Sequence, residues 1–341
     1  MLLPLIAVGA SALLSAGLIV LLRPLLVRYA LARPNARSSH KAPTPQGGGI
    51  AVIAATLLVA TAALALVGQL QVSVSVWVAV AGSSILLAII GAIDDMRPLP
   101  ELVRLISQAL AVVIVVAVAG NGARVLPDAI PLWLELGLAV LAGLWFVNLV
   151  NFMDGIDWIT VAEMVPIAAA LLLFGLAGIG PSELVLPAAA LLGALLGFAP
   201  FNKPVARLFL GDVGSLPIGL LVAWMLYVLA GAGGLAAALI LPLYYLADAT
   251  LTLLRRLARG ERIWEAHRTH FYQQATDKVG FSVMEVAANV FGLNLALAAL
   301  AAVALLWPMP IIQFASLALA AALVGVVLFR FAVPRSKRAP A

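Results

Sequence analysis

Four short polar clusters interrupt an otherwise apolar chain, and their residue types suit phosphate and metal chemistry. The first runs Ser38-Ser39-His40-Lys41-Ala42-Pro43-Thr44-Pro45-Gln46-Gly47-Gly48-Gly49. Its prolines stiffen a loop, its glycines can turn backbone N–H groups toward an anion at a helix N-terminus, and Lys41 adds a mobile positive charge. A Gly-rich helix entry without a ligand fits the same residues equally well. The second cluster, Gly91-Ala92-Ile93-Asp94-Asp95-Met96, sets two carboxylates side by side. Adjacent helical residues point about 100° apart, so Asp94 and Asp95 cannot address one atom equally. One is free for a ligand or metal while its neighbour holds a helix N–H or a basic side chain. Two acids at a helix C-terminus oppose the helix dipole, which argues against a purely structural role.

The third cluster is Asn148-Leu149-Val150-Asn151-Phe152-Met153-Asp154-Gly155-Ile156-Asp157-Trp158. Polar residues at every third position would lie on one helical face with modest drift. Amide and carboxylate oxygens in such a row suit a hard cation, Mg²⁺ or Mn²⁺, although a helix-terminal polar stripe with no ligand reads the same way. The fourth comes in two pieces. Phe201-Asn202-Lys203-Pro204 leads to Phe209-Leu210-Gly211-Asp212-Val213-Gly214-Ser215, and His267-Arg268-Thr269-His270 follows in a later polar stretch. Two histidines could pair on zinc, but without cysteine or a nearby HExxH pattern, contact with phosphate is the better reading. Together the clusters hold carboxylates for a divalent cation, cations for phosphate and aromatics for a base. That is the inventory of phosphoryl transfer.

The elements that position these residues follow from composition. Of 341 residues 64% are hydrophobic and only 10% charged, which excludes an ordinary soluble enzyme. Apolar runs of about 20 residues predict eleven membrane helices over roughly 2–22, 49–68, 75–93, 102–120, 130–150, 160–179, 184–199, 215–232, 235–254, 286–306 and 311–332. The expected fold is therefore all-α, one polytopic integral-membrane domain over 1–341 with a short basic tail at 333–341. With these spans, nineteen of the twenty Lys and Arg fall on one side and Arg124 alone on the other. The positive-inside rule then puts the N-terminus outside and the C-terminus in the cytoplasm. Residues 1–22 read as an anchor rather than a cleaved signal, because no base precedes the apolar run while Arg23 and Arg28 follow it. Twelve of the fifteen acids join the bases on the same side, a segregation that topology does not require. A net charge of +5 thus carries no case for nucleic acid as a partner. Asp248 reads as a buried partner for a basic residue such as Arg255 or Arg256. Glu261, Glu265, Asp277 and Glu285 read as solvated loop charges.

The motifs HKAPTPQGGG, AIDD, NLVNFMDGID, FNKPVARLFLGDVGS and HRTH, in this order across residues 40–270, resemble those of the polyprenyl-phosphate N-acetylhexosamine-1-phosphate transferases. That family includes the bacterial initiators of O-antigen and teichoic-acid linkage synthesis and the phospho-N-acetylmuramoyl-pentapeptide translocase of peptidoglycan synthesis. The resemblance implies that a lipid phosphate, undecaprenyl phosphate in bacteria, attacks the β-phosphorus of a UDP-sugar and releases UMP. It also implies a multi-pass protein of the bacterial inner membrane with cytoplasmic catalytic loops. Carried over by position, Asn151 and Asp212 match magnesium ligands, and Phe209 matches a residue stacked on uracil. Asp154, Asp157 and Asn202 match nucleotide-sugar contacts, and Asp94 and Asp95 match the catalytic acidic pair. Lys41, His267, Arg268 and His270 match phosphate contacts. Mg²⁺, or Mn²⁺ in its place, is the implied cofactor, and a homodimer is left open.

Three departures stand out: Gln46 where many members have Arg, Trp158 where a glycine usually follows the DGxD segment, and Phe271-Tyr272-Gln273-Gln274 after HRTH. The last is unlike the triple-histidine pattern of the peptidoglycan enzyme and favours an O-antigen-type initiator, with a UDP-N-acetylhexosamine as donor. The rival of another class, a secondary transporter, predicts ionisable residues near the bilayer midplane and repeated halves. Neither is visible in the sequence.

Overall fold

The computed structural model describes residues 2–32, 43–67, 72–120, 124–262 and 267–334. Its elements are α1 (Leu2–Tyr29), a two-residue antiparallel pair β1 (Leu31–Ala32) and β2 (Thr44–Pro45), α2 (Gly49–Val67), α3 (Val74–Met96), α4 (Glu101–Ala119) and α5 (Leu132–Met153). There follow α6 (Ile159–Leu176), α7 (Val185–Asn202), α8 (Asp212–Leu229), α9 (Leu235–Ile240), α10 (Leu243–Ala258), the short α11 (Phe271–Gln274), α12 (Val283–Leu306) and α13 (Pro310–Ala332). The protein is an all-α polytopic membrane protein. Among the described residues, ten helical stretches are long and apolar enough to cross a bilayer.

The ninth expected crossing, 235–254, is made of two pieces, α9 and α10. α8 gives way to a wide turn where Ala232 and Gly233 leave helical conformation, Gly233 at φ 87°. α9 then runs for only 6 residues before Pro242, which has no N–H to continue the ladder, and α10 begins after it. Neither piece reaches the length of a single span. α10 is also built inside out for a soluble helix. Tyr244, Tyr245, Asp248 and Thr252 are buried, while Leu251, Leu254 and Leu257 are exposed, as a lipid-facing helix with a polar inner face requires.

α7 and α8 form the centre, with α1, α2 and α6 packed on α7 and α3 and α5 on α8. At one end of the bundle the approach of α2 to α8 is so close that only glycine fits. A Cβ on Gly49 would lie 2.2 Å from the Gly214 Cα. Gly48 and Gly49 donate their N–H groups to the carbonyls of Phe209 and Leu210, both at 2.9 Å. These N–H groups are thus committed to backbone pairing rather than offered to an anion. The glycine run serves helix convergence, which is the simpler of the two sequence readings. β2 extends the same seam, since Phe209 N–H donates to the Pro45 carbonyl at 2.9 Å.

Glu285, expected to be a solvated loop charge, closes a capping box with Ser282 at the start of α12. Asp277 and Glu261 likewise have partners, in Arg268 and in Arg256 with Arg259.

Candidate active site

The site is assembled where the end of α3, the end of α5 and the start of α8 meet. Gly211, at φ 77°, precedes α8 and has no side chain to cap it. The cap comes from another helix: Asp95 accepts from the N–H groups of Asp212 at 3.0 Å and Val213 at 3.2 Å. The carboxylate thereby meets the positive end of the α8 dipole, which offsets its misplacement at the C-terminal end of α3. Asp94 accepts from Leu99 N–H at 2.6 Å and pairs with Arg104 at 3.1 Å. It also faces Asp212 within hydrogen-bonding reach. The expectation that one acid holds a helix N–H or a base is met by both, so neither of the two is left without a protein partner.

α5 delivers Asn151, whose Nδ2 donates to Asp212 Oδ1 at 2.7 Å and to Ser215 Oγ at 3.0 Å. Asn148 turns elsewhere, toward Gln108 at 2.7 Å. The helical stripe expected over 148–157 stops at Met153, because Asp154 leaves helical conformation at φ −84°, ψ 54°. Gly155 then passes against the Tyr272 hydroxyl, which would sit 2.2 Å from an added Cβ. Asp154 and Asp157 are therefore loop residues. Asp154 accepts from Thr160 Oγ1 at 2.5 Å, and burial pushes its carboxyl up to about 7 despite that bond, with Asp95 and Asp157 adding like-charge repulsion. Asp157 accepts from Ala206 N–H at 2.9 Å.

Trp158 adopts left-handed backbone, φ 62°, and is alone in this among the described non-glycine residues. Its backbone N–H donates to Asn202 Oδ1 at 2.8 Å, and its indole N–H donates to the Ala199 carbonyl at 2.6 Å. These bonds hold a conformation that costs an L-residue roughly 1–2 kcal/mol. The glycine usual at this position would adopt it freely. Asn202 also donates to the Leu208 carbonyl at 3.0 Å, so its amide ties two loops together, while Phe209 stands half-buried beside them.

The segment 267–272 comes to the same end of the bundle. His270 is buried, its Nδ1 3.2 Å from Asp248 Oδ1, and it stacks between His267 and Tyr272 with ring centroids 4.9 and 5.8 Å away. Burial pushes the His267 imidazole down to about 4, helped by His270 and Arg256, so it is neutral at pH 7. Arg268 carries the fixed positive charge here and holds Asp277 with two bonds of 2.9 and 3.1 Å. Asp248 proves to be a buried partner, as its sequence context suggests, but of His270 and two backbone N–H groups rather than of an arginine. The Tyr272 hydroxyl donates to the Phe152 carbonyl at 3.2 Å. Lys41 lies outside the described residues.

Sequence reading did not assign Gln46, Arg104, Ser215 or Thr160 to this region. Gln46 donates to the Asp95 carbonyl at 2.6 Å, and its replacement of a frequent arginine was the only signal it gave. Ser215 ends the GDVGS motif and was legible in principle.

Among the described residues no three His, Asp or Glu side chains gather into a ready cation cage. Magnesium commonly takes one or two protein carboxylates and completes its shell with waters and substrate phosphates. The donor set fits that mode. Asp212 and the Asn151 amide stand side by side, and exchanging the amide's ends would turn its oxygen toward the same point. Asp94 and Asp212 face each other, so a cation between them would offset their repulsion. An apolar cavity of about 330 Å³ lies between α4, α5, α8, α9 and α10, away from Asp212 and lined by Glu135 near the start of α5 and by Leu220 to Ala230 of α8 and the turn after it. Along α5 its lining runs from Glu135 to Trp145 and Phe146.

Comparison with known proteins adds sequence to this geometry. Residues 77–230 match the model of glycosyl transferase family 4. Asp94, Asp95, Asn151, Asp154, Asp157, Asn202, Phe209 and Asp212 all fall inside the matched stretch. A decaprenyl-phosphate N-acetylglucosaminephosphotransferase of Mycolicibacterium smegmatis is 32% identical over 222 residues, covering 59% of this chain and 53% of the relative. Its Mycobacterium tuberculosis counterpart is 32% identical over 215 residues, covering 57% and 52%. A phospho-N-acetylmuramoyl-pentapeptide-transferase of Limosilactobacillus fermentum is 34% identical over 129 residues, covering 37% and 39%. The matched stretch thus spans about half the length of the phosphotransferases. Residues 77–230 thus match glycosyl transferase family 4, and the chain is similar over about half its length to polyprenyl-phosphate N-acetylglucosamine phosphotransferases.

Proposed function

We propose that this protein transfers N-acetylhexosamine-1-phosphate from a UDP-sugar to a polyprenyl phosphate and releases UMP. A lipid phosphate oxygen bonds to the β-phosphorus as the bond from that phosphorus to the α-phosphate oxygen breaks. The product is a lipid-pyrophosphate-linked sugar, which starts a cell-surface glycan. The observation that carries this reading is the convergence of Asp94, Asp95, Asn151 and Asp212 at one end of the bundle, where Arg104 pairs with Asp94. The site lies on the cytoplasmic side, by the charge asymmetry of the loops, in a bacterial inner membrane.

Asp212 and Asn151 would hold Mg²⁺, which when bound offsets the charge of the phosphates and of the leaving UMP. Asp95 fixes the start of α8 and so orients Asp212. Asp94, beside Asp212 and Arg104, is placed to hold a proton or to orient the attacking phosphate. Asp154, its carboxyl pushed up to about 7 by burial, is suited to a sugar hydroxyl. Phe209 offers a half-buried ring to uracil, and Arg268 a guanidinium to phosphate. The longer match to N-acetylglucosamine phosphotransferases, 222 residues against 129 for the muramoyl-pentapeptide enzyme, favours UDP-N-acetylglucosamine as donor.

The test is UMP release by purified protein given a panel of UDP-aminosugars, Mg²⁺, and undecaprenyl or decaprenyl phosphate. UMP and a lipid-linked sugar with UDP-N-acetylglucosamine support the reading. No UMP from any donor, with folded protein verified, refutes it.

A further inference from the structure

The mechanism above leaves two fully buried acids unused, Glu163 and Asp248, and the second ties distant segments together. Asp248 lies on the inner face of α10 and is 0% exposed. Its two oxygens collect five partners. Oδ1 accepts from Phe271 N–H at 3.0 Å and Thr252 Oγ1 at 3.3 Å, and stands 3.2 Å from His270 Nδ1. Oδ2 accepts from Tyr272 N–H at 3.1 Å and from the Tyr244 hydroxyl at 3.2 Å. Three of the five come from one short stretch more than twenty residues further along the chain. An acceptor taking successive backbone N–H groups at the start of α11 fixes that segment as an N-cap does, although it belongs to another helix.

The far end of the segment is fixed too. The Tyr272 hydroxyl donates to the Phe152 carbonyl and fits under Gly155, where a Cβ would displace it. Phe152 and Gly155 flank Asp154. A continuous run of bonds therefore leads from α10 through Asp248, Tyr272 and Phe152 to the loop of Asp154 and Asp157. Arg268 and His267 are carried on the same segment, immediately before His270.

We propose that Asp248 is a positioning residue, clamping His270–Tyr272 against the Phe152–Gly155 loop so that Arg268 and His267 face the phosphates of the bound nucleotide-sugar. It touches no substrate. Its effect is to preset a segment that would otherwise have to be ordered on binding, and misplacement of such a segment weakens binding more than it slows the bound complex. This assignment rests on the transferase reading for its last link but not for the clamp itself.

Two measurements on the full-length protein in detergent separate these parts. In Asp248→Asn, hydrogen exchange of peptides covering 267–282 should speed up at least ten-fold, with the peptides of α12 unchanged. In the same variant, KM for UDP-N-acetylglucosamine in UMP release should rise about ten-fold, with a smaller fall in kcat. A general loss of folded protein would lower kcat and leave KM alone. Tyr272→Phe breaks the other end of the clamp without touching Asp248, and should raise KM about three-fold; it carries the test if Asp248→Asn does not fold. Unaltered exchange in these variants overturns the clamp. Faster exchange with KM unmoved overturns the positioning role. If wild-type protein releases no UMP from any donor the transferase reading falls, and the exchange measurement still decides whether Asp248 holds the segment.

Discussion

The two ends of α5 solve the same electrostatic problem in opposite ways. At its start Glu135, 3% exposed, is fully answered: Arg124 Nε donates at 2.8 Å and Val125 N–H at 2.6 Å, and Arg124 also reaches the Ile130 carbonyl and Asp128. One base, two acids and several backbone groups close a small loop on themselves. At its end Asp94, Asp95, Asp154, Asp157 and Asp212 gather, and Asp94 forms an ion pair there with Arg104. Backbone N–H groups satisfy some of their oxygens, but N–H groups do not cancel net charge. A half-buried cluster of carboxylates is unfavourable unless protons or cations offset its charge. The balanced end is architecture, and the unbalanced end is where a divalent cation and phosphates belong.

Substitutions at the two ends should therefore separate activity from stability. Asp212→Asn, which keeps size and removes a charge from the crowded end, should lower UMP release by at least about 10³-fold while yield and folding are retained. Comparable turnover would remove Asp212 from the cation site. Asp95→Asn keeps an acceptor but loses the charge that meets the α8 dipole. It should lower turnover about 10²-fold and destabilise by about 1–2 kcal/mol, measured as a shift in thermal unfolding. Arg124→Ala works at the other end. It should destabilise by about 1–3 kcal/mol because Glu135 stays buried with one partner fewer, yet turnover per folded molecule should stay within about three-fold of wild type. A large fall in turnover would break the contrast.

The smallest effect concerns pH. The Asp154 carboxyl is raised from its ordinary value of 3.8 to about 7 by burial, so the folded protein binds a proton there that the unfolded chain releases. Its contribution favours folding most below pH 4 and is lost as pH rises toward 7, after which it is constant. Asp154→Asn should flatten that decline in thermal stability between pH 4 and 7. An unaltered slope would mean that Asp154 is not held in this buried state.

The helices were readable because apolar runs near the thickness of a bilayer leave polar residues only at their ends. That placed Asp94, Asp95, Asn151 and Asp212 near helix termini. Pairings between helices were not readable. Asp95 caps a helix that begins 117 residues later, and nothing in its local spacing announces this. The stripe over 148–157 failed for a related reason: its periodicity was real, but Gly155 must pass beneath Tyr272, more than a hundred residues away. Asp248 looked plain because a lone acid before two arginines suggests an ion pair, whereas its true partners are backbone groups of a distant loop. The broken crossing at α9 and α10 was visible as Pro242, but hydropathy alone ran straight through it.

The most direct test of the central claim is equilibrium binding of Mn²⁺, followed by electron paramagnetic resonance, to wild type, Asp212→Asn and Arg124→Ala in the presence of UDP-N-acetylglucosamine. The surplus-charge account predicts about one bound Mn²⁺ in wild type and Arg124→Ala, displaced by Mg²⁺, and a loss of at least ten-fold in affinity in Asp212→Asn. Equal binding by wild type and Asp212→Asn, or loss of binding in Arg124→Ala alone, would contradict it.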